Sequence, residues 1–193
     1  MSLALPAAPA PPPRRQVFVG TALVSVAMLM LTAGMVGIWI LMRERSIAAT
    51  GTWVPDDVTV PEVPSNVMLI GVLSLCLFAQ WAVYAAKRRD RAHVGLALGI
   101  VALLAVAIVN AQAFIYSQMA MEITESSYPG MFYAVTGLTT SLFIVGLVFT
   151  AVTAFRFLGG RLDDQELVAA HALYWYALAV VFSAVWLVVY VTK

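Results

Sequence analysis

The sequence predicts an all-α fold, an integral membrane bundle of five transmembrane helices, and three observations support this. The 193 residues are 62% hydrophobic and 11% charged, with a mean hydropathy of +0.92. Soluble domains have about 45–50% apolar and about 25% charged residues, so the composition is that of a membrane protein. Five uncharged runs are each long enough to cross a hydrocarbon core of about 30 Å. The charged residues are concentrated between those runs.

The five runs contain no Asp, Glu, Lys or Arg. Because hydrocarbon offers backbone amides no hydrogen-bond partner, each run should be a helix that pairs its own backbone groups. The predicted spans are residues 17–42, 67–86, 94–121, 131–155 and 167–192.

The first 16 residues precede this region as a Pro/Ala-rich stretch. Proline removes the amide donors that a helix needs, so we expect a disordered extension at 1–16 and a transmembrane domain at 17–193. The stretch does not fit a signal peptide, because its two arginines follow the prolines and directly precede an apolar run too long for an h-region.

Basic residues between the spans favour a cytoplasmic N-terminus and an external C-terminus in the cell inner membrane. In that orientation only Arg43, Arg45 and Lys193 lie outside. The run KRRDR at residues 87–91 then serves as a topology anchor, although alone it would also fit a lipid or nucleic-acid patch. The other eight basic residues lie inside: Arg14, Arg15, Lys87, Arg88, Arg89, Arg91, Arg156 and Arg161.

The external loop at residues 43–66 contains Pro55, Pro61 and Pro64, whose preceding residues favour extended backbone. Trp53 in this loop and Tyr128, just before the fourth span, are expected to be interfacial aromatic residues.

The predicted membrane interior lacks ionisable groups, which argues against catalysis and against a metal or cofactor bound by this chain. The two histidines, His93 and His171, are expected near the cytoplasmic interface as ordinary polar residues. Cys76, the single cysteine, excludes a disulfide within the chain and is expected to be a buried apolar residue. None of the sequence patterns GxSxG, HExxH, GxxxxGK[ST] or GxGxxG occurs.

Helix packing is expected at small residues and at uncharged polar residues within the spans. Gly95 and Gly99 expose backbone at a spacing of four, where a neighbouring helix can approach. Asn110 and Gln112 are expected to hydrogen-bond across helices.

The last two spans carry an ordered set of residues. The segment FYAVTGL begins at Phe132, Gly146 follows ten residues beyond Thr136, Arg156 follows twenty beyond it, and YWY begins at Tyr174. This order resembles subunit III of the haem-copper cytochrome c oxidases, whose pattern is F-Y-x-x-T-G-F-H-G-L-H-V followed by Y-W-H-F-V-D-x-V-W. The segment QAF from Gln112 is similar to the family's Q-A-Y-E-Y. The resemblance covers nearly the whole chain from residue 17, at the length of five-helix bacterial members.

Ionisable residues of the family pattern have uncharged replacements here. This argues against a role in proton uptake and leaves a role in scaffolding and lipid binding. These replacements are Met28, Ile115, Thr139, Leu142, Tyr176 and Ala179, and Phe182 stands where the family has a tryptophan.

The resemblance implies a non-catalytic accessory subunit of a respiratory haem-copper terminal oxidase, supporting assembly, stability and lipid binding. Its implied partners are the catalytic subunit I, the other oxidase subunits and phospholipid, with haem and copper in the partner subunits and no nucleic acid. Arg156 stands where the family has an arginine that contacts a lipid phosphate, and we expect Tyr174 and Trp175 at the same lipid site. A topology anchor is the alternative for Arg156. Gly137 and Gly146 join the expected packing positions.

Two other functions remain open, the first from the resemblance and the second from the residues. One is an accessory subunit of a nitric oxide reductase. The other is a small transporter or channel, with Asn110, Gln112, Thr139, Thr140 and Ser141 as an uncharged pore lining.

Overall fold

A computed structural model describes residues 15–55, 58–122, 127–161 and 164–192. The described residues form five helices long and apolar enough to cross a membrane, which confirms the predicted all-α class. The first 14 residues of the predicted extension lie outside the described residues. The helices are α1 Gln16–Thr50, α2 Glu62–Lys87, α3 Arg91–Met119, α4 Ser127–Leu158 and α5 Gln165–Val185, which continues into a π-helical turn, Trp186–Val191.

The loop between α1 and α2 is shorter than the sequence predicts. The 35 residues of α1 extend about 52 Å at 1.5 Å per residue, well beyond the apolar run, because a helix can continue among headgroups where charged side chains stay solvated. It ends at Gly51, whose positive φ of 81° closes the last turn. The expectation of extended backbone before Pro64 was wrong, since Pro64 lies in the first turn of α2, where no amide donor is needed.

The fifth helix is the centre of the bundle. It packs against α1, α2 and α4. The helix α3 contacts α2 and α4, so that α2, α3, α4 and α5 form a closed ring. Of the 21 residues of α5, 13 are buried, whereas only four of the 35 residues of α1 are buried. Most of the surface of α1 therefore faces outward from the bundle.

Basic side chains of separate loops meet at one end of the bundle, which we call the basic end. The backbone N–H of Phe18 on α1 donates to Glu166 Oε1 on α5 at 3.0 Å, and Arg91 donates to the carbonyl of Leu158. At the opposite end, Arg43 Nη2 donates to the Thr192 carbonyl at 3.2 Å. Successive loops therefore lie at alternate ends of the bundle, as the sequence predicts. The assignment of the basic end to the cytoplasmic side remains a prediction.

An aromatic cluster closes the opposite end. Trp39, Trp53 and Tyr128 contact one another edge to face, with ring centroids 5.3–5.6 Å apart. Trp53 is 6% exposed and Tyr128 is 1% exposed, so both rings pack within the protein and do not contact headgroups as interfacial aromatic residues would. Their position at the membrane boundary stays a prediction. The rings are buried because the loop after α1 folds back over the bundle and lays Trp53 against Trp39.

The turn between α2 and α3 is stabilised by Asp90, which caps α3. Its Oδ1 accepts the backbone N–H of His93 at 3.2 Å, and its Oδ2 lies 2.6 Å from His93 Nδ1. The backbone hydrogen bond from His93 lowers the pKa of Asp90 below its ordinary value, because that bond favours the charged carboxylate.

We expect the contribution of Asp90 to stability to depend on pH. A carboxyl group whose pKa is lowered by folding stabilises the fold above its unfolded pKa of about 3.9, and this stabilisation is lost as the pH falls through the folded pKa. In detergent, Asp90→Ala should therefore melt at a lower temperature than the wild type at pH 7, and the difference should narrow below about pH 4. Asp90→Asn keeps a neutral acceptor and is the control. A gap for Asp90→Ala that is constant between pH 7 and pH 3 would show that the charge is not involved.

Candidate functional site

Three residues that the sequence singles out meet where α4 crosses α5. Gly146 on α4 faces Tyr174 and Trp175 on α5, and a Cβ atom at Gly146 would lie 2.8 Å from Trp175 Cη2 and 2.9 Å from Tyr174 Cε1. Only a residue without a side chain permits this approach. Gly146 therefore sets the distance between the two helices.

A buried histidine forms a hydrogen bond with the Trp175 ring. The indole N–H of Trp175 donates to His171 Nε2 at 2.9 Å, and Thr150 Oγ1 lies 2.8 Å from the same nitrogen. The Thr150 hydroxyl also donates to the Gly146 carbonyl at 2.8 Å. Gly146, Thr150, His171 and Trp175 thus form one polar and aromatic contact between α4 and α5.

The expectation that His171 contacts headgroups was wrong, since its exposure is 0%, and its depth near the cytoplasmic interface stays a prediction. The first turns of α5 are already enclosed by neighbouring helices, and Thr150 and Trp175 both contact the Nε2 atom of the buried imidazole. The Nδ1 atom of His171 is buried without a hydrogen-bond partner among the described residues. The sequence signal for this contact was the spacing of four residues between His171 and Trp175, which places both on one helix face. His93 lies exposed at the basic end.

An apolar groove of about 420 Å³ runs beside this contact, and we call it the α1–α4 groove. Tyr174 forms part of its wall and is held there because its hydroxyl donates to the Leu142 carbonyl at 2.7 Å. The groove is apolar, which suits a hydrocarbon chain. It is lined by Val17, Gly20, Thr21, Val24, Val145, Val148, Phe149 and Tyr174.

Arg156 lies at the basic end of α4, seven residues after Phe149 and therefore on the same face of the helix as the groove. Its Nε donates to Asp164 Oδ2 at 3.0 Å, and its Nη2 lies 2.9 Å from the same oxygen. The side chain remains 44% exposed, and a guanidinium has five N–H donors. Arg156 can therefore contact a second anion while it keeps Asp164.

The other expected packing residues divide into two groups. A Cβ atom at Gly95 would lie 3.2 Å from the Leu158 side chain, and one at Gly137 would lie 3.9 Å from Tyr116 Oη. The buried Gln112 accepts a hydrogen bond from the Tyr190 hydroxyl at 2.9 Å. Gly99 and Asn110 are exposed on the outer surface of the bundle. Nothing lies within 4 Å of a Cβ at Gly99.

Metal-ligating side chains are scattered in the part of the chain that the structure describes. No group of three or more His, Cys, Asp or Glu side chains is placed there to hold a metal ion. Of the two histidines, one pairs with Asp90 and the other with Thr150 and Trp175.

Comparison with known proteins agrees with the order of residues in the last two spans. The family described as cytochrome c oxidase subunit III matches residues 46–193. A probable cytochrome c oxidase subunit 3 of Rickettsia bellii (strain RML369-C) is 30% identical over 123 residues, which cover 62% of this chain and 42% of that protein. One from Rickettsia conorii (strain ATCC VR-613 / Malish 7) is 26% identical over 164 residues, or 80% of this chain and 54% of that protein.

A third relative is a probable cytochrome c oxidase subunit 3 of Rickettsia felis (strain ATCC VR-1525 / URRWXCal2). It is 26% identical over 80% of this chain and 55% of that protein. The chain spans about half the length of these relatives. The family match covers more than half of the chain, and the resemblance in the sequence is confirmed. This five-helix membrane chain belongs to the cytochrome c oxidase subunit III family.

Proposed function

We propose that the protein is a non-catalytic accessory subunit of a haem-copper terminal oxidase, in which it supports assembly and stability. The observation that carries this proposal is the family match over residues 46–193. We propose that the haem and copper of the complex belong to the partner subunits. The partner that we propose is the catalytic subunit, within the cell inner membrane and with the basic end on the cytoplasmic side.

The outward surface of α1 supports such an association. Only Ser25, Met28, Thr32 and Trp39 of this helix are buried, so most of its apolar length is available to a partner helix or to lipid. In a membrane, helices associate through packing and hydrogen bonds rather than through exclusion of water.

The direct test is purification of the tagged protein from its native membranes, followed by haem spectra and identification of the co-purifying chains. We expect haem-copper oxidase subunits in stoichiometric amount. A stable preparation free of haem and of these subunits would contradict the proposal. Co-purification with a nitric oxide reductase instead would assign the alternative partner.

We further propose that the α1–α4 groove binds one acyl chain of a phospholipid whose phosphate contacts Arg156. The groove is apolar, Tyr174 forms part of its wall, and Arg156 lies at the end of the same face of α4. A guanidinium suits phosphate because its planar donors match two oxygens at once. Trp175 does not contact the lipid in this arrangement. It packs against Tyr174 and supports the position of that ring.

Arg156→Gln is expected to remove most of the tightly bound phospholipid that native mass spectrometry detects on the purified protein. The control is Asp164→Asn, which breaks the same ion pair but leaves the guanidinium in place. Since an exposed ion pair contributes only about 0–1 kcal/mol, neither change should unfold the chain. Equal lipid loss in both variants would attribute the effect to the ion pair and contradict a phosphate contact.

A further inference from the structure

A second cleft of about 420 Å³ opens at the basic end, between the start of α1, the end of α2 and the start of α5. It shares no lining residue with the α1–α4 groove. We call it the Arg15–Lys87 cleft. Its lining residues are Arg15, Phe18, Lys87, Gln165, Glu166 and Ala169.

The charge of this cleft is positive and unbalanced. Arg15 and Lys87 are both exposed, and neither forms an ion pair with a carboxylate in the described ranges. Glu166 is the one acidic lining residue, and its Oε1 accepts the backbone N–H of Phe18 at 3.0 Å. Because α1 has no side-chain cap of its own, Glu166 serves as that cap. Two cations thus face the cleft, while the carboxylate is held by α1.

In the predicted topology, the Arg15–Lys87 cleft lies at the depth of lipid headgroups. Arg15 and Lys87 flank the apolar runs of α1 and α2, and Phe18 and Ala169 continue the lining toward the hydrocarbon. The amide ends of α1 and α5 also point toward this end of the bundle, which adds to the attraction for an anion. A ligand here meets cations at one side and apolar surface at the other.

We propose that the Arg15–Lys87 cleft binds the headgroup of an anionic phospholipid, with the phosphate between Arg15 and Lys87. A lipid fits better than a free phosphate ion, because the apolar lining and the adjoining exposed surface of α1 contact its chains. The Gln165 side-chain amide adds a neutral donor for the glycerol or phosphate oxygens. This site is separate from the lipid site at Arg156 and does not depend on which complex the subunit joins.

The test is thermal unfolding of the purified protein, with any partners it retains, titrated with phosphatidylglycerol in detergent. We expect the lipid to raise the melting temperature of the wild type, and the double variant Arg15→Gln/Lys87→Gln to bind it with an apparent affinity about 30-fold weaker. The matched control is Arg45→Gln/Arg161→Gln, which removes two exposed arginines outside the cleft. The control should respond to the lipid as the wild type does.

Two further arms distinguish the sources of the anion. Phosphatidylcholine with the same chains, and inorganic phosphate alone, should each stabilise the wild type much less than phosphatidylglycerol does. Equal stabilisation by inorganic phosphate, or equal loss of lipid response in the control double variant, would overturn the proposal. The charge-conserving variant Arg15→Lys/Lys87→Arg should retain binding, and a loss there would also overturn it. Haem co-purification should be unchanged in all these variants.

Discussion

Gly146→Val is expected to lower the stability of the protein by about 3 kcal/mol, because it forces apart the helices that form the α4–α5 contact. The first carbon of the new side chain would lie 2.8 Å from Trp175 and 2.9 Å from Tyr174, closer than real side-chain atoms approach. Neither ring can move aside easily. Trp175 is hydrogen-bonded to His171, and the Tyr174 hydroxyl is bonded to the Leu142 carbonyl. The measurement is the melting temperature in detergent, together with the yield of partner subunits.

The control for this substitution is Gly99→Val, at an exposed position where nothing lies within 4 Å of the added carbon. It tests whether valine in a membrane helix is harmful by itself. We expect Gly99→Val to melt close to the wild type. Similar losses in the two variants would show that the close approach at Gly146 is not what matters.

Trp175→Ala is expected to cost about 3–5 kcal/mol, the usual range for deletion of a large buried aromatic side chain. Trp175 is fully buried and contacts Phe143, Tyr174 and His171. Its removal leaves a cavity where α4 and α5 meet and removes the indole donor to His171. The loss should appear both as a lower melting temperature and as weaker retention of lipid, since Tyr174 loses its support.

A second substitution separates the packing of Trp175 from its hydrogen bond. Trp175→Phe keeps a ring but removes the N–H, so its cost should be nearer to about 1 kcal/mol. Trp81→Ala is the matched control, because Trp81 is only partly buried. If Trp175→Phe proved as harmful as Trp175→Ala, the hydrogen bond to His171 would be the dominant contribution and not the packing.

The membrane spans were predictable because the rule that produces them acts on each run separately. An apolar run of sufficient length becomes a helix whatever its neighbours are, since hydrocarbon penalises every unpaired amide. The predicted 131–155 span lies within α4, for example, and the predicted 94–121 span overlaps almost all of α3. The ends were less predictable, because α1 continues past Met42 among groups that water or headgroups solvate.

The candidate site was predictable only in part. Gly146, Tyr174 and Trp175 were identified by their resemblance to a family pattern, and the structure brings them into one contact. The burial of His171 and Trp53 was missed, because a polar or amphipathic side chain near a helix end suits the interface equally well in sequence. The two clefts were also missed, since each is formed by residues from three helices that are distant in the chain.

The sequence by itself determined that this chain crosses a membrane with five helices, places most of its basic side chains at one end and belongs to its family. These properties follow from local hydrophobicity, charge and residue order. Only the tertiary structure decided that α5 is central, that His171 is buried against Thr150 and Trp175, and that Arg15 and Lys87 line one cleft. The physical reason is that burial and pairing of a side chain depend on which helices surround it, and periodicity within one helix does not specify its neighbours.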